Sequence, residues 1–343
     1  MASFSPSQGS DPAESGGELH KFIFQGLPVR GMLVRLTGAW RQMLAARSGS
    51  GDFPAPVRQL LGEMCAAATL MQANIKFNGS LILQMQGDGP LKLAVAEVQP
   101  DLRLRSTAQI VGVVPAGAEL HELLNLNGQG RCAITLDPLD RKPGQQPYQG
   151  VVPLSRDDES GRLQPLRRLS DVIEHYMRQS EQLDTRLVLA ANDEMAAGLL
   201  IQRLPVEGGS QAALRAGSHE AGASADEDFQ RIAMLAATLK PEELLGLDVD
   251  SVLHRLFWEQ DVRRFEPLSG DLGPRFACTC SRSRVGRMLT NLGRDEADSV
   301  IAERGRIEVA CEFCGVRYEF DAIDVTELFL PGSTLGEPPH TVQ

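Results

Sequence analysis

The sequence predicts an α+β protein: a mostly antiparallel β-sheet N-terminal domain with one buried helix, a helical linker, and a small C-terminal domain built on four cysteines. Three observations predict it. Short segments of alternating polar and apolar residues, separated by glycine and proline, recur through residues 18–205, and that period marks half-buried strands. The stretch Pro56–Ile75 is apolar nearly all round, as a helix is when neighbours cover every side. Cys278-Thr279-Cys280 and Cys311-Glu312-Phe313-Cys314 place four thiols in two tight pairs, the pattern of a metal or redox site.

Residues 1–17 are rich in Ser, Gly and Pro and read as a disordered tail. Order is expected from about Leu19, with strands at Phe22–Phe24 and Val29–Leu36, followed by the long helix. Its residues Leu60, Leu61, Met64, Cys65, Ala68, Leu70 and Met71 make it a central element. Ser80–Gln86 and Leu91–Val98 flank Gly87-Asp88-Gly89-Pro90 as a hairpin, the glycines being read as suppliers of the positive φ of a tight turn. Further strands are expected at Gln109–Val114, Arg131–Leu136, Gly150–Leu154, Thr185–Ala190 and Gly198–Gln202. Ser170-Asp171 reads as the cap of a helix with Val172, Ile173 and Tyr176 on one face, and Ser180-Glu181-Gln182 as its exit.

The linker is expected over 206–277. Residues 206–228 are small and acidic, with little to bury, and read as a flexible insertion. Residues 229–277 carry Phe229, Ile232, Leu235, Ala236 and Leu239, then Val252, Leu253, Leu256 and Phe257, at helical spacing. Such amphipathic helices need a surface to cover. The cysteine domain is expected over 278–331, and residues 332–343 read as a second disordered tail.

Composition excludes several functions. The net charge of −11 opposes nucleic acid or an anionic membrane as the main partner. No apolar run approaches the ~20 residues of a spanning helix, and the start lacks a secretory pattern, so a cytoplasmic location is the default expectation. No Gly-Lys-Ser/Thr phosphate loop occurs, which excludes ATP use by that route. A Gly-x-Ser-x-Gly elbow and a His-Glu-x-x-His helix are also missing, so the motifs indicate no enzyme. Cys65 and Cys132 stand alone in apolar patterns and read as buried structural thiols.

The paired cysteines carry the chemistry. Zn²⁺ prefers four thiolates at bonds of about 2.3 Å, which brings the sulfurs within about 4 Å of one another. Alternate residues of an extended segment face one side, so Cys278 and Cys280 can ligate together. Cys311 and Cys314 suit a tight turn after the strand-like Ile307-Glu308-Val309, with Gly315 free to take a left-handed conformation. All six histidines lie outside residues 278–331, so a zinc here would take four cysteine ligands. Such a site is closed and does not catalyse. The same thiols can instead pair as short-range disulfides. A domain of about 55 residues has too small a core to be secure alone, and structural zinc contributes roughly 10–16 kcal/mol to folding. Arg275, Arg282, Arg284, Arg287 and Arg317 surround the thiols in sequence, where they could favour thiolate or be plain solvated surface. Eight arginines against seven acids over residues 275–320 give no basic stripe, so the domain does not read as a nucleic-acid binder.

Cys278-Thr279-Cys280-Ser281-Arg282-Ser283-Arg284 with Cys311-Glu312-Phe313-Cys314-Gly315 resembles the zinc motif of the redox-regulated heat-shock protein 33 chaperones. The likeness runs through Lys76-Phe77-Asn78-Gly79, Gln84-Met85-Gln86-Gly87-Asp88-Gly89-Pro90, Tyr148-Gln149-Gly150-Val151, Ser180-Glu181-Gln182 and Gln202-Arg203-Leu204-Pro205, roughly residues 19–330. The resemblance implies an ATP-independent holdase, inactive while reduced and zinc-bound. Oxidation would form Cys278–Cys280 and Cys311–Cys314 disulfides, release zinc, unfold the linker, favour a dimer and let unfolding client proteins bind. Phe229, Ile232, Leu235, Leu256, Phe257 and Trp258 would then be exposed. Two alternatives stay open at this point: a zinc-ribbon adaptor for protein partners that ignores redox state, and a thiol-disulfide oxidoreductase acting through Cys311 and Cys314.

Overall fold

The computed structural model describes residues 16–47, 51–142, 144–158, 160–205 and 218–330. The chain divides into two compact units with their boundary between Phe276 and Ala277, the short segment 46–52 grouping with the second. The expected tail at 332–343, and residues 1–15 and 206–217 of the other expected irregular stretches, lie outside the described residues.

The first unit is built on two sheets. One has the order β10-β11-β2-β1-β12, from Gly17–Phe24 (β1), Val29–Leu36 (β2), Thr185–Ala191 (β10), Ala196–Arg203 (β11) and Val262–Arg264 (β12), every pair antiparallel. The other has the order β13-β5-β4-β3-β6-β7, from Gly79–Gln86 (β3), Leu91–Val98 (β4), Arg103–Ile110 (β5), Arg131–Pro138 (β6), Tyr148–Pro153 (β7) and the two-residue Arg275–Phe276 (β13). Among the described residues, only the β13–β5 pair is parallel. A small hairpin joins Ser155–Asp157 (β8) to Leu163–Pro165 (β9).

Among the described residues, three helices precede the linker besides a short one. Gly38–Arg47 (α1) was not expected; Trp40 anchors it, fully buried and donating its indole N–H to the Asn192 carbonyl at 2.7 Å. Ala55–Asn74 (α2) is the buried helix the apolar run predicts, and side chains of both sheets share one core with it. Its buried residues include Val57, Leu61, Met64, Ala67, Ala68 and Met71, which lie on different sides of the helix, so burial follows from being covered twice. Leu120–Leu124 (α3) is the short one, and Leu169–Gln179 (α4) packs Val172, Ile173 and Tyr176 into the core as expected. Its start differs from expectation. Arg168 is the N-cap residue and Ser170 lies buried within the first turn, while Asp171 accepts from Arg168 at 2.8 Å.

The strand expected at Gln109–Val114 is displaced to Arg103–Ile110. Val111 and Val113 are exposed, whereas Leu104, Ser106 and Ala108 are buried at alternate positions. Arg105 hid this alternation, and its charge is matched across the ladder by Glu97 at 2.6 Å.

The hairpin at residues 87–90 forms as expected, but for a different reason. Gly87 and Gly89 do not have positive φ. A Cβ on Gly89 would lie 2.4 Å from the Leu123 carbonyl oxygen, and one on Gly87 2.7 Å from Leu124 Cα. Glycine is required because the turn lies against the end of α3, where Asp88 N–H donates to the Leu124 carbonyl at 3.2 Å. Gly89→Ala is therefore expected to destabilise the first unit by about 1–3 kcal/mol, read as a lower urea midpoint. Gly246→Ala, where a Cβ meets nothing within 4 Å, should leave the midpoint unchanged or raise it.

The linker is where expectation and structure part most. Ser218–Ala237 (α5) is helical, so residues 218–228 belong to a helix and not to a flexible insertion. Alanine and glutamate favour helix, and the apolar turns from Phe229 onward nucleate what the N-terminal turns extend. Pro241–Gly246 (α6) and Val249–Phe257 (α7) follow. Beyond Phe257 the linker is not helical: β12 joins the edge of the first sheet, Gly270–Leu272 is a 3₁₀ turn, and β13 joins the second sheet. The apolar faces of α5 to α7 cover the first sheet, forming a second core of Phe22, Phe24, Leu199 and Ile201 with Phe229, Ile232, Leu256 and Phe257. Trp258 is already 68 % exposed and so is no hidden surface.

Candidate metal centre

The second unit is small, and its own core has five buried apolar residues, Leu289, Ala297, Ile307, Phe320 and Val325. They come from Arg282–Leu292 (α8), Arg294–Arg304 (α9), the hairpin Ile307–Ala310 (β14) and Arg317–Phe320 (β15), and Ala322–Leu328 (α10). Arg282 lies over the Phe320 ring at 4.3 Å and pairs with Asp324 at 2.7 Å, closing one side of that core.

Two local structures bring the thiols together. Cys278-Thr279-Cys280 runs into α8, whose first turn is capped by Ser281 accepting from the Arg284 N–H at 3.2 Å. The Arg284 guanidinium donates to the Thr279 carbonyl at 3.0 Å and hydroxyl at 2.7 Å, which holds the short loop between the two sulfurs. Cys311 and Cys314 occupy the β14–β15 connection. Cys311 N–H donates to the Val316 carbonyl and Gly315 N–H to the Cys311 carbonyl, each at 2.8 Å, with Gly315 at φ 71°. That is the left-handed conformation glycine adopts without penalty.

The four Sγ atoms lie within 4.8 Å of one another. Cys278 and Cys311 are 3.6 Å apart and Cys280 and Cys314 3.4 Å, each contact crossing between the pairs. A tetrahedron of four zinc–sulfur bonds has sulfurs about 3.8 Å apart, so the thiols can hold a metal ion with little movement. All four are free thiols, Cys314 buried and the others half-buried. The Cys311 hydrogen bond holds the Cys278 thiol below its usual range. The same bond, with burial, pushes Cys311 up to about 12, and burial pushes Cys314 up to about 11. Several thiolates so close together repel one another, and a bound cation offsets that repulsion. The donor set therefore fits a soft divalent ion.

The neighbouring arginines do not act as a group. Arg275 pairs with Asp101 at 3.0 Å, Arg282 and Arg284 have the structural partners given above, and Arg287 and Arg317 are exposed. Cys65 and Cys132 are fully buried, and burial pushes both thiols up to about 12, where they are inert. One residue near the site escaped sequence reasoning. Tyr318, on β15, donates its hydroxyl to Cys280 Sγ at 3.1 Å. Its signal was period 2: Tyr318 shares a strand face with the buried Phe320. The segment Ser180-Glu181-Gln182 does end α4, and in addition Glu181 accepts from the Tyr176 hydroxyl at 2.7 Å, with Gln182 at φ 55°.

Comparison with known proteins agrees over most of the chain. The chain is 45 % identical over 312 residues to the 33 kDa chaperonin of Chromobacterium violaceum, covering 91 % of this chain and 93 % of that one. It is 41 % identical over 327 residues to the 33 kDa chaperonin of Neisseria meningitidis serogroup A, covering 94 % and 96 %. The crystal structure of the 33 kDa chaperonin of Thermotoga maritima shares the fold, with a TM-score of 0.68 at 20 % identity over 92 % of this chain and 97 % of that one. The relatives are named as chaperonins and not as enzymes, in keeping with the motifs. With the profile of the Hsp33 protein family matching residues 17–321, the chain belongs to that family.

Proposed function

We propose that this chain is a redox-regulated, ATP-independent holdase that is silent while Cys278, Cys280, Cys311 and Cys314 hold one Zn²⁺ and active once they are oxidised. Family membership supports the chaperone function itself. The observation that carries the switch is the four-thiol cluster in a unit with only five buried core residues. Zinc bound there would supply a structural cross-link and no reaction. Peroxide supplies the oxidising equivalents: each pair of thiolates gives up two electrons as one S–S bond forms, and one peroxide with two protons leaves as two waters. Pairing within each motif, Cys278 with Cys280 and Cys311 with Cys314, frees the two halves of the site from each other. Sulfurs also meet across the motifs, Cys278 with Cys311 at 3.6 Å and Cys280 with Cys314 at 3.4 Å, and a disulfide there would keep the halves tied.

Loss of the second unit would leave β13 without its C-terminal neighbour. That strand is anchored by two residue pairs with β5 and by Arg275–Asp101, so release of the linker would begin there. Clients would then meet the apolar face of the linker and of the sheet beneath it. A cytoplasmic location fits thiols kept reduced at rest; among the described residues no helix is long and apolar enough to cross a membrane. Dimerisation on oxidation belongs to the same proposal, and neither nucleic acid nor ATP has a part in it.

The test is to treat the reduced, zinc-loaded protein with peroxide at raised temperature. Zinc release, disulfides mapped within each motif, dimer formation, and suppression of aggregation of a heat-unfolded client are expected together. Zinc that stays bound would favour the redox-insensitive adaptor, and zinc release with no protection of the client would refute the holdase.

A further inference from the structure

The structure assigns Tyr318 a place in the switch: its hydroxyl, donating to Cys280 Sγ, tightens the hold on zinc and lowers the reactivity of that sulfur toward peroxide. The inference rests on the zinc-switch reading above and deepens it by naming what sets the activation threshold. Of the polar side chains in the second unit, Tyr318 reaches a ligand sulfur with a neutral O–H, at 3.1 Å. The β14–β15 ladder pairs Tyr318 with Val309, two residues before Cys311, so the strand that delivers the hydroxyl belongs to the hairpin that delivers the second thiol pair. The hydroxyl is thus placed by the fold and does not reach the sulfur by a surface excursion.

A hydrogen bond to a thiolate withdraws electron density from the lone pair that attacks an oxidant. Cys280 oxidation begins when that lone pair attacks one peroxide oxygen, forming an S–O bond and breaking O–O, with hydroxide leaving and a sulfenic acid remaining. Cys278 thiolate then attacks the Cys280 sulfur, forming the disulfide and expelling a second hydroxide. The donor slows the first of these steps. Groups hydrogen-bonded to metal ligands also orient them, and their loss commonly lowers metal affinity 10–100-fold. Tyr318 is therefore a positioning residue, with no contact to client or oxidant required of it.

The experiment compares Tyr318→Phe with the parent protein, since phenylalanine keeps the ring and removes only the donor. Competition with a chromogenic chelator should show zinc held about tenfold less tightly, by the range for such outer partners. Zinc release under fixed peroxide should be several-fold faster. With Co²⁺ in place of zinc, the sulfur-to-metal charge-transfer band should move to lower energy, a change that loss of packing alone would not give. Should the variant fail to fold, 3-fluorotyrosine incorporated into the parent chain supplies a stronger donor and should move the band the other way. The other two tyrosines, Tyr148 and Tyr176, donate to Glu181 instead. Unchanged affinity, release rate and cobalt band would overturn the role of Tyr318. A parent protein that binds no zinc would instead sink the switch itself.

Discussion

Cys314→Ser is expected to abolish stable zinc binding, unfold residues 277–330 and loosen the linker from β13 onward, while the two sheets and α2 stay folded. Cys314 is the most buried of the four thiols, at 8 % exposure, and a serine hydroxyl is a poor ligand where a soft thiolate is needed. The five buried core residues of the second unit cannot replace the roughly 10–16 kcal/mol that a structural zinc contributes. The first unit has two cores of its own, one around α2 and one beneath the linker helices. Limited proteolysis should therefore cleave first beyond Phe276 and then within the loosened linker, sparing a core fragment of the two sheets and α2, and metal analysis should find less than one zinc per several chains. A variant that keeps its zinc and resists protease would show that three thiolates and packing suffice. Removing the metal from the parent protein with a strong chelator under reducing conditions should give the same fragment, which separates the loss of the ion from any effect of the serine.

Phe257→Ala is expected to unlock the linker without oxidation. Phe257 ends α7, 2 % exposed, with its ring 5.0 Å from Phe24 in edge-to-face contact and 6.3 Å from Phe22. Truncating so large a buried aromatic costs about 3–5 kcal/mol, and the cost falls on the contact between linker and sheet. The ties that remain are the smaller apolar contacts of Ile232, Leu253 and Leu256 and three polar ones: Arg35 to the Leu247 carbonyl, Arg264 to Asp250, and Arg203 to Asp226. Reduced, zinc-loaded Phe257→Ala should thus suppress client aggregation where the reduced parent does not, with all four thiols still titratable after the metal is removed. Trp258→Ala, at an exposed position beside it, should leave the reduced protein silent. A reduced Phe257→Ala protein whose linker is open to protease and that still fails to bind clients would contradict the assignment of the linker face as client surface.

These two variants also separate what sequence could read from what it could not. The zinc-competent cysteines were legible because spacing on a strand and on a turn brings sulfurs to the same side whatever the rest of the chain does. Residues 56–75 were legible because a helix with no polar face has only one kind of environment. Arg103–Ile110 was hidden because the half-buried Arg103 and Arg105 break an apolar count, although Leu104, Ser106 and Ala108 alternate inward as a strand should. Gly87 and Gly89 were read correctly as a turn but for a local reason, when the constraint is the backbone of α3, more than thirty residues away in sequence. The boundary of the linker was misjudged for a related cause. Small residues at 218–228 bury little by themselves, and their helix continues one anchored further on by Phe229 and Ile232.

Sequence by itself determined the fold class, the four thiols that cluster and the presence of amphipathic segments in need of cover, because period and short-range spacing are properties of the chain alone. Tertiary structure decided what covers those segments, that Trp258 stays in solvent, and that Tyr318 reaches Cys280. Each of these depends on distances between residues far apart along the chain, and such distances are set only when sheets and helices pack.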